Sequence, residues 1–131
     1  IMEFKPASAQ KGELRAIAAS PDGNVWFTEP NSDKIGRVNV NDTPITIDEF
    51  DVPTSGAQPT GIAAGPDGAM WFAEVHGKLL GRIPLDAPPG TTPQEFSLGF
   101  NSPGGLVTGP DCNLWVTDFK APIGRVGVVR F

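Results

Sequence analysis

Between Asn24 and Glu29 the side chains alternate, with Val25, Phe27 and Glu29 on one face of an extended chain and Trp26 and Thr28 on the other. Both faces carry large apolar groups, so the segment predicts a β-strand covered on both sides. The phrase containing it occurs three times, as Pro21-Asp-Gly-Asn-Val-Trp-Phe-Thr-Glu29, Pro66-Asp-Gly-Ala-Met-Trp-Phe-Ala-Glu74 and Pro110-Asp-Cys-Asn-Leu-Trp-Val-Thr-Asp118. Ahead of each copy stands Ile17-Ala-Ala-Ser, Ile62-Ala-Ala-Gly or Leu106-Val-Thr-Gly, and behind each stands Ile35-Gly-Arg-Val38, Leu80-Gly-Arg-Ile83 or Ile123-Gly-Arg-Val126. A Glu-Phe pair recurs at Glu3-Phe4, Glu49-Phe50 and Glu95-Phe96. These segments are short, rich in β-branched and aromatic residues, and bounded by Pro-Asp-Gly, Asn-Ser-Asp or Pro-Thr-Ser-Gly, which marks them as strands between turns.

The chain is therefore three repeats of about 45 residues, each offering four short strands. A β-sandwich would lack such an echo, and a β-solenoid has shorter repeats without hairpin turns, so the pattern predicts the blades of a β-propeller. The expected fold is all-β, a single partial propeller over residues 1–131. Its blades fall at about 7–53, 54–99 and 100–131, with a separate strand at 2–5. Propellers close with about four to eight blades. Three would leave two apolar blade faces and open strand edges in water. The third repeat reaches Phe131 without its own Glu-Phe strand, whereas Met2 to Lys5 supplies one at the other end. Closure is expected with a second copy, head to tail, giving a homo-oligomer in the form of a six-bladed dimer, or with the remaining blades of a longer chain.

Composition narrows the function classes. At 131 residues with 39% hydrophobic, the chain is long and apolar enough for one packed domain. A formal net charge of -5 gives no basic footprint, which argues against a nucleic-acid or anionic-membrane partner. No apolar run approaches a membrane span and Ile1-Met2-Glu3 is not a signal-peptide start, so a soluble protein is expected, with cytoplasmic and secreted locations both open. The 16 glycines and 14 prolines recur at matching places in the repeats and serve as turn punctuation. Cys112 is the sole cysteine, which excludes an internal disulfide and a cysteine-based zinc site. It occupies the slot held by Gly23 and Gly68, where a positive φ is expected at a cost of about 1 kcal/mol for a residue with a Cβ.

The phrases Gly61-Ile-Ala-Ala-Gly-Pro-Asp-Gly-Ala-Met-Trp-Phe-Ala-Glu74 and Lys34-Ile-Gly-Arg-Val38 resemble the repeats of the streptogramin B lyases, also called virginiamycin B lyases. The resemblance covers all three repeats. It implies a seven-bladed propeller with a Mg2+-assisted site at one end of the central channel, where the lyase opens a cyclic depsipeptide by elimination. In that family a Glu-x-His-Gly-Ile phrase precedes the acid of Trp-Phe-x-Glu by fourteen residues from the His; the two carboxylates hold the metal and the His is the base.

Laid on this chain, the His slot holds Arg15, Thr60 and Gly104, and the first carboxylate slot holds Glu13, Gln58 and Ser102. No repeat has the His, and none of these three side chains takes a proton near neutral pH. Glu13 with Glu29 alone keeps both carboxylates, which makes them the candidate ligands for a hard cation such as Mg2+. Glu29, Glu74 and Asp118 recur in every blade, as acceptors for backbone N–H groups of a neighbouring turn or as an acidic ring at the channel mouth. Arg37, Arg82 and Arg125 recur likewise and suit ion pairs across strands, while the tryptophans suit the core or blade interfaces. His76, the sole histidine, lies in the Val75-His-Gly-Lys78 hairpin, and with Glu74 it forms the candidate acid and base pair. Phosphate-loop, zinc and nucleophile-elbow phrases are absent. The sequence thus supports a binding or interaction module that is non-catalytic by itself. Its alternative is a carbon–oxygen lyase with Mg2+ whose catalytic His lies in blades beyond these three.

Overall fold

Most of the repeated segments become strands, and within each sheet a strand pairs with the next in sequence. The computed structural model describes residues 1–8, 13–119 and 122–131. The first sheet runs in the order β1 (Ile17–Ala19), β2 (Val25–Glu29), β3 (Lys34–Asn39), β4 (Thr46–Asp51). The second repeats it as β5 (Pro59–Ala64), β6 (Ala69–Glu74), β7 (Leu79–Pro84) and β8 (Gln94–Phe96). The third has β9 (Pro103–Thr108), β10 (Leu114–Asp118) and β11 (Arg125–Val129). All pairings are antiparallel. The architecture is that of propeller blades, as the repeat predicts, and the sheets do not close into a ring.

The third sheet has three strands where the repeat pattern foretells four. Residues 2–5, expected as a strand, carry no ladder partner among the described residues. The segment lies beside the first blade. Phe4 and Pro6 line a groove there with Leu14, Ile17, Phe27, Val38 and Ile47, and the Ser8 N–H and hydroxyl donate to Glu49 of β4 at 3.1 and 2.7 Å. The N-terminal segment is thereby tied to its own blade, away from the edge of β11.

The core lies between the sheets. One face of the first sheet presents Trp26, Ile35, Phe50 and Val52, and the second sheet meets it with Ile62, Phe72, Ile83 and Ala87. The second sheet then presents Trp71 and Leu80 to Phe100, Leu114 and Val116 of the third blade. Trp26 stacks on Phe50 at 5.7 Å, and the Arg37 guanidinium lies 5.3 Å from the Trp26 ring while pairing with Asp48 at 2.7 Å. Trp115 holds the same position on the third blade but is 37% exposed, since no further sheet covers it. Val107 and Val126 near it are exposed as well, as is Ile17 on the first blade.

Two local features depend on glycine. In the first two blades Gly36 lies opposite Phe27 and Gly81 opposite Phe72. A Cβ on either would stand 2.0 Å from the phenyl ring, so the missing side chain lets the ring lie flat over the neighbouring strand. In the third blade the equivalent of these glycines is Gly127, opposite Val116, and not Gly124 as the Ile-Gly-Arg-Val phrase suggests. Gly36 and Gly81 stand ten residues after their tryptophans, Gly124 stands nine after and Gly127 twelve. The chain takes the later glycine and lengthens the loop before β11. The Pro-Asp-x turns behave as expected: Gly23, Gly68 and Cys112 all have positive φ, 91, 76 and 57°.

Candidate functional site

The innermost strands β1, β5 and β9 lie side by side, and at Gly61 the approach is close enough that a Cβ would sit 2.1 Å from the Gly104 carbonyl oxygen. Blades two and three therefore meet backbone to backbone at the channel side. Behind them, Thr28 donates its hydroxyl to the Thr60 carbonyl at 2.8 Å and accepts from the Ala16 N–H at 3.1 Å, which ties blade one to blade two.

This convergence opens a cleft of about 540 Å³. Arg15, Thr60 and Gly104, the three His-slot residues, all line it, together with Gln58 and Ser102 from the first carboxylate slot. The sixth residue, Glu13, is buried. Positions fourteen residues before each blade's acid thus meet in one place, because each begins the innermost strand of its blade or the turn leading into it. His76 stands at the rim with its side chain exposed, and Phe119 adds an aromatic wall. Glu74 is fully buried beneath the hairpin, and its carboxyl oxygens carry no hydrogen bond to His76.

The three recurring acids divide into two kinds. Asp118 accepts the Asn101 and Ser102 N–H groups at 3.0 and 2.7 Å and pairs with Arg125 at 3.0 Å. Burial pushes its carboxyl up, but these donors outweigh it and hold the group below its ordinary value. Glu29 and Glu74 are different. Both are fully buried, and neither carboxyl meets an N–H or O–H donor. Each feels instead the charge of a second acid, Glu49 for Glu29 and Glu95 for Glu74. Burial first, then the hydrogen bond with Glu49 and the charges of Glu49 and Glu13, push Glu29 up to about 8 against the pull of Lys34. Burial resists ionisation of Glu49 too, but bonds from Ser8 and the proton of Glu29 bring it below its ordinary value.

These second acids belong to the Glu-Phe phrase, whose recurrence was visible in the sequence although its partner was not. Ser8 and Thr54, which cap Glu49 and Glu95, each lie 41 residues before their acid. A repeat alignment that scores polar positions as well as apolar ones would find both pairs. Asp33 is a further acceptor, taking the Gly56 and Gln58 N–H groups at 2.7 and 2.9 Å.

The residues do not fit a Mg2+ site. Glu13 and Glu29 are near enough for one charge to act on the other, but Glu29 is engaged with Glu49, and the Asp118 oxygens are filled by N–H donors and a guanidinium. Among the described residues no group of three or more His, Cys, Asp or Glu comes together around a cation position. Arg37, Arg82 and Arg125 pair with Asp48, Asp67 and Asp118, so all three arginines stand in ion pairs.

Known structures share this fold. A catalytically inactive virginiamycin B lyase from Staphylococcus aureus with quinupristin superposes with a TM-score of 0.74 at 30% identity, covering 93% of this chain and 43% of that one. A selenomethionine-substituted form of the Staphylococcus aureus enzyme gives 0.76 at 29% identity, over 96% and 44%. A streptogramin B lyase gives 0.70 at 28%, over 93% and 42%. The chain spans less than half the length of these relatives. Among curated proteins none matches. The family profile described as Virginiamycin B lyase family matches residues 1–130, and the chain belongs to the virginiamycin B lyase family.

Proposed function

We propose that this chain is a binding module whose cleft takes a cyclic peptide or depsipeptide of the quinupristin kind without opening it. The observation that supports this reading is the meeting of Arg15, Thr60 and Gly104 in one cleft at the position where a base would stand. A guanidinium stays charged at all working pH values, a threonine hydroxyl does not accept a proton near neutrality, and glycine has no side chain. Elimination needs proton abstraction. The same set is well suited to holding a polar ring. Arg15 and Gln58 offer N–H groups, Ser102 offers a hydroxyl, and Phe119 offers an apolar wall, the mixture that orients a ligand rich in carbonyl oxygens.

The test is a calorimetric titration with quinupristin in the presence of Mg2+, followed by chromatography of the recovered ligand. Binding that weakens about tenfold in Arg15→Ala, a loss of about 1.4 kcal/mol, with the ring intact, is the expected result. Absence of binding refutes the module reading. Ring-opened product that disappears in His76→Ala makes the chain a carbon–oxygen lyase with its base at the rim of the cleft.

A further inference from the structure

No acidic side chain lines the cleft among the described residues, although the chain carries a net charge of -5. Its ionisable lining residues are Arg15 and His76. Arg37, Arg82 and Arg125 each pair with an aspartate, and Lys34 pairs with Asp51, whereas Arg15 stands in no ion pair among the described residues. Its backbone is fixed all the same. The Arg15 N–H donates to the Thr28 carbonyl at 3.1 Å, and the Ala16 carbonyl accepts the Thr28 N–H at 3.0 Å. A guanidinium is a donor with no acceptor, so the cleft holds a rooted cation whose donors are left for a ligand.

Two further donors join it from the other blades. Ser102 is 8% exposed, yet its hydroxyl has no partner among the described residues, since only its backbone is engaged, with Asp118 at 2.7 Å and Phe119 at 3.2 Å. A hydroxyl so enclosed is costly without a hydrogen bond, and the cleft is the side on which it opens. Gln58 stands at φ 53°, a left-handed backbone that disfavours a residue with a Cβ, and the Asp33 carboxylate keeps it there by accepting its N–H at 2.9 Å. Its side-chain amide is thus held at the cleft. Phe119 supplies an apolar flank. Its ring is 63% exposed and lies over Gly104, where a Cβ would stand 2.9 Å away.

Donors from three blades with no acid among them suit an oxyanion, and the aromatic ring beside them suits one attached to an apolar group. We propose that the cleft recognises a carboxylate on an apolar peptide, and that among depsipeptides of the quinupristin kind it prefers the ring-opened chain to the intact ring. The preference for the opened chain rests on the module reading above; the carboxylate recognition does not. Opening such a ring by elimination breaks the alkyl carbon–oxygen bond of the ester, and the bonding pair leaves with the oxygen as a carboxylate. The intact ring offers only a neutral ester at that place. Arg15 pairs with the carboxylate, Gln58 and Ser102 donate to its remaining lone pairs, and the adjoining side chain lies on Phe119. A chain with a cation where a base would stand thus retains what a ring-opening enzyme releases.

The experiment titrates the 131-residue chain and follows the amide NMR signals of Arg15, Gln58 and Ser102. One pair of probes is N-acetyl-phenylalanine and its amide; the other is quinupristin, intact and with its ring ester hydrolysed by mild base. The acid of each pair is expected to bind about tenfold more tightly. That preference should fall below about twofold in Arg15→Gln, and also in the wild type at about 0.5 M salt, which reads the charge without a variant that must fold. Ser102→Ala should weaken the acid about threefold and leave the amide unchanged. Equal binding of acid and amide, a preference that survives Arg15→Gln, or displacement of the acid by equimolar inorganic phosphate overturns carboxylate recognition. Intact quinupristin that binds as tightly as the opened form overturns the preference and leaves the module reading in place. If neither form binds while the acid is still favoured over the amide, the module reading fails and the carboxylate site stands.

Discussion

The indole N–H of Trp71 donates to Asp67 at 3.0 Å, and the other oxygen of that carboxylate accepts from Arg82 at 2.7 Å. Trp115 and Asp111 repeat the first of these bonds at 3.0 Å. In the first blade Ser20 takes the indole at 3.2 Å while its own hydroxyl bonds Asp22. The Pro-Asp phrase four residues before each tryptophan thus supplies, directly or through Ser20, the acceptor that lets an indole enter an apolar interface. Asp67→Ala removes both partners at once and is expected to lower stability by about 1–3 kcal/mol, whereas Asp67→Asn keeps the acceptor and costs less. Urea midpoints of the two variants check the order.

The register of the third blade makes a second prediction, because it assigns different roles to two glycines three residues apart. A Cβ on Gly127 would lie 2.5 Å from the Phe100 ring, but one on Gly124 meets nothing nearer than 3.7 Å. Gly127→Ala is expected to destabilise by about 1–3 kcal/mol through overpacking. Gly124→Ala should stay within about 0.5 kcal/mol of the parent. A reversed order in thermal unfolding would return Gly124 to the strand.

Self-association of the 131-residue chain is a third expectation. The outward face of the first blade, with Ile17 exposed, is the kind of surface that Ile62 and Phe72 present to Trp26 within the chain. The outward face of the third blade, with Trp115 and Val126, is the kind that Trp71 and Leu80 present to Phe100 and Leu114. Two halves of one interface, seen twice inside the molecule, are left on opposite ends. A second copy satisfies both by continuing the series. Light scattering should give a mass above 13.8 kDa that returns to 13.8 kDa in Trp115→Asp. A monomer at all concentrations refutes it.

Strand positions were legible wherever the tryptophan phrase fixed them. β2, β6 and β10 fall where alternation places them, and the positive φ of Cys112 follows from the glycines in its slot. The third-blade register was not legible. Gly124 and Gly127 both sit among β-branched residues, and only the placement of Phe100 over Gly127 separates them. The cleft was visible as six positions set by the family spacing, five of which the structure brings to its walls. The carboxyl pairs were hidden because Glu29 and Glu49 sit on strands two ladders apart, and like charges are not expected to seek each other.

The hand-over from one sheet to the next, a tryptophan-bearing face given and a face without tryptophan received, makes each blade answerable only to its immediate neighbours. Such a chain behaves thermodynamically as a short linear array, in which the middle unit gains from two interfaces and each end unit from one. Backbone amides of β6 and β7 should therefore exchange with solvent more slowly than those of β2 or β10. Opening begins at the ends and travels inward, so the cleft, set on strands from all three blades, is lost as soon as either end frays.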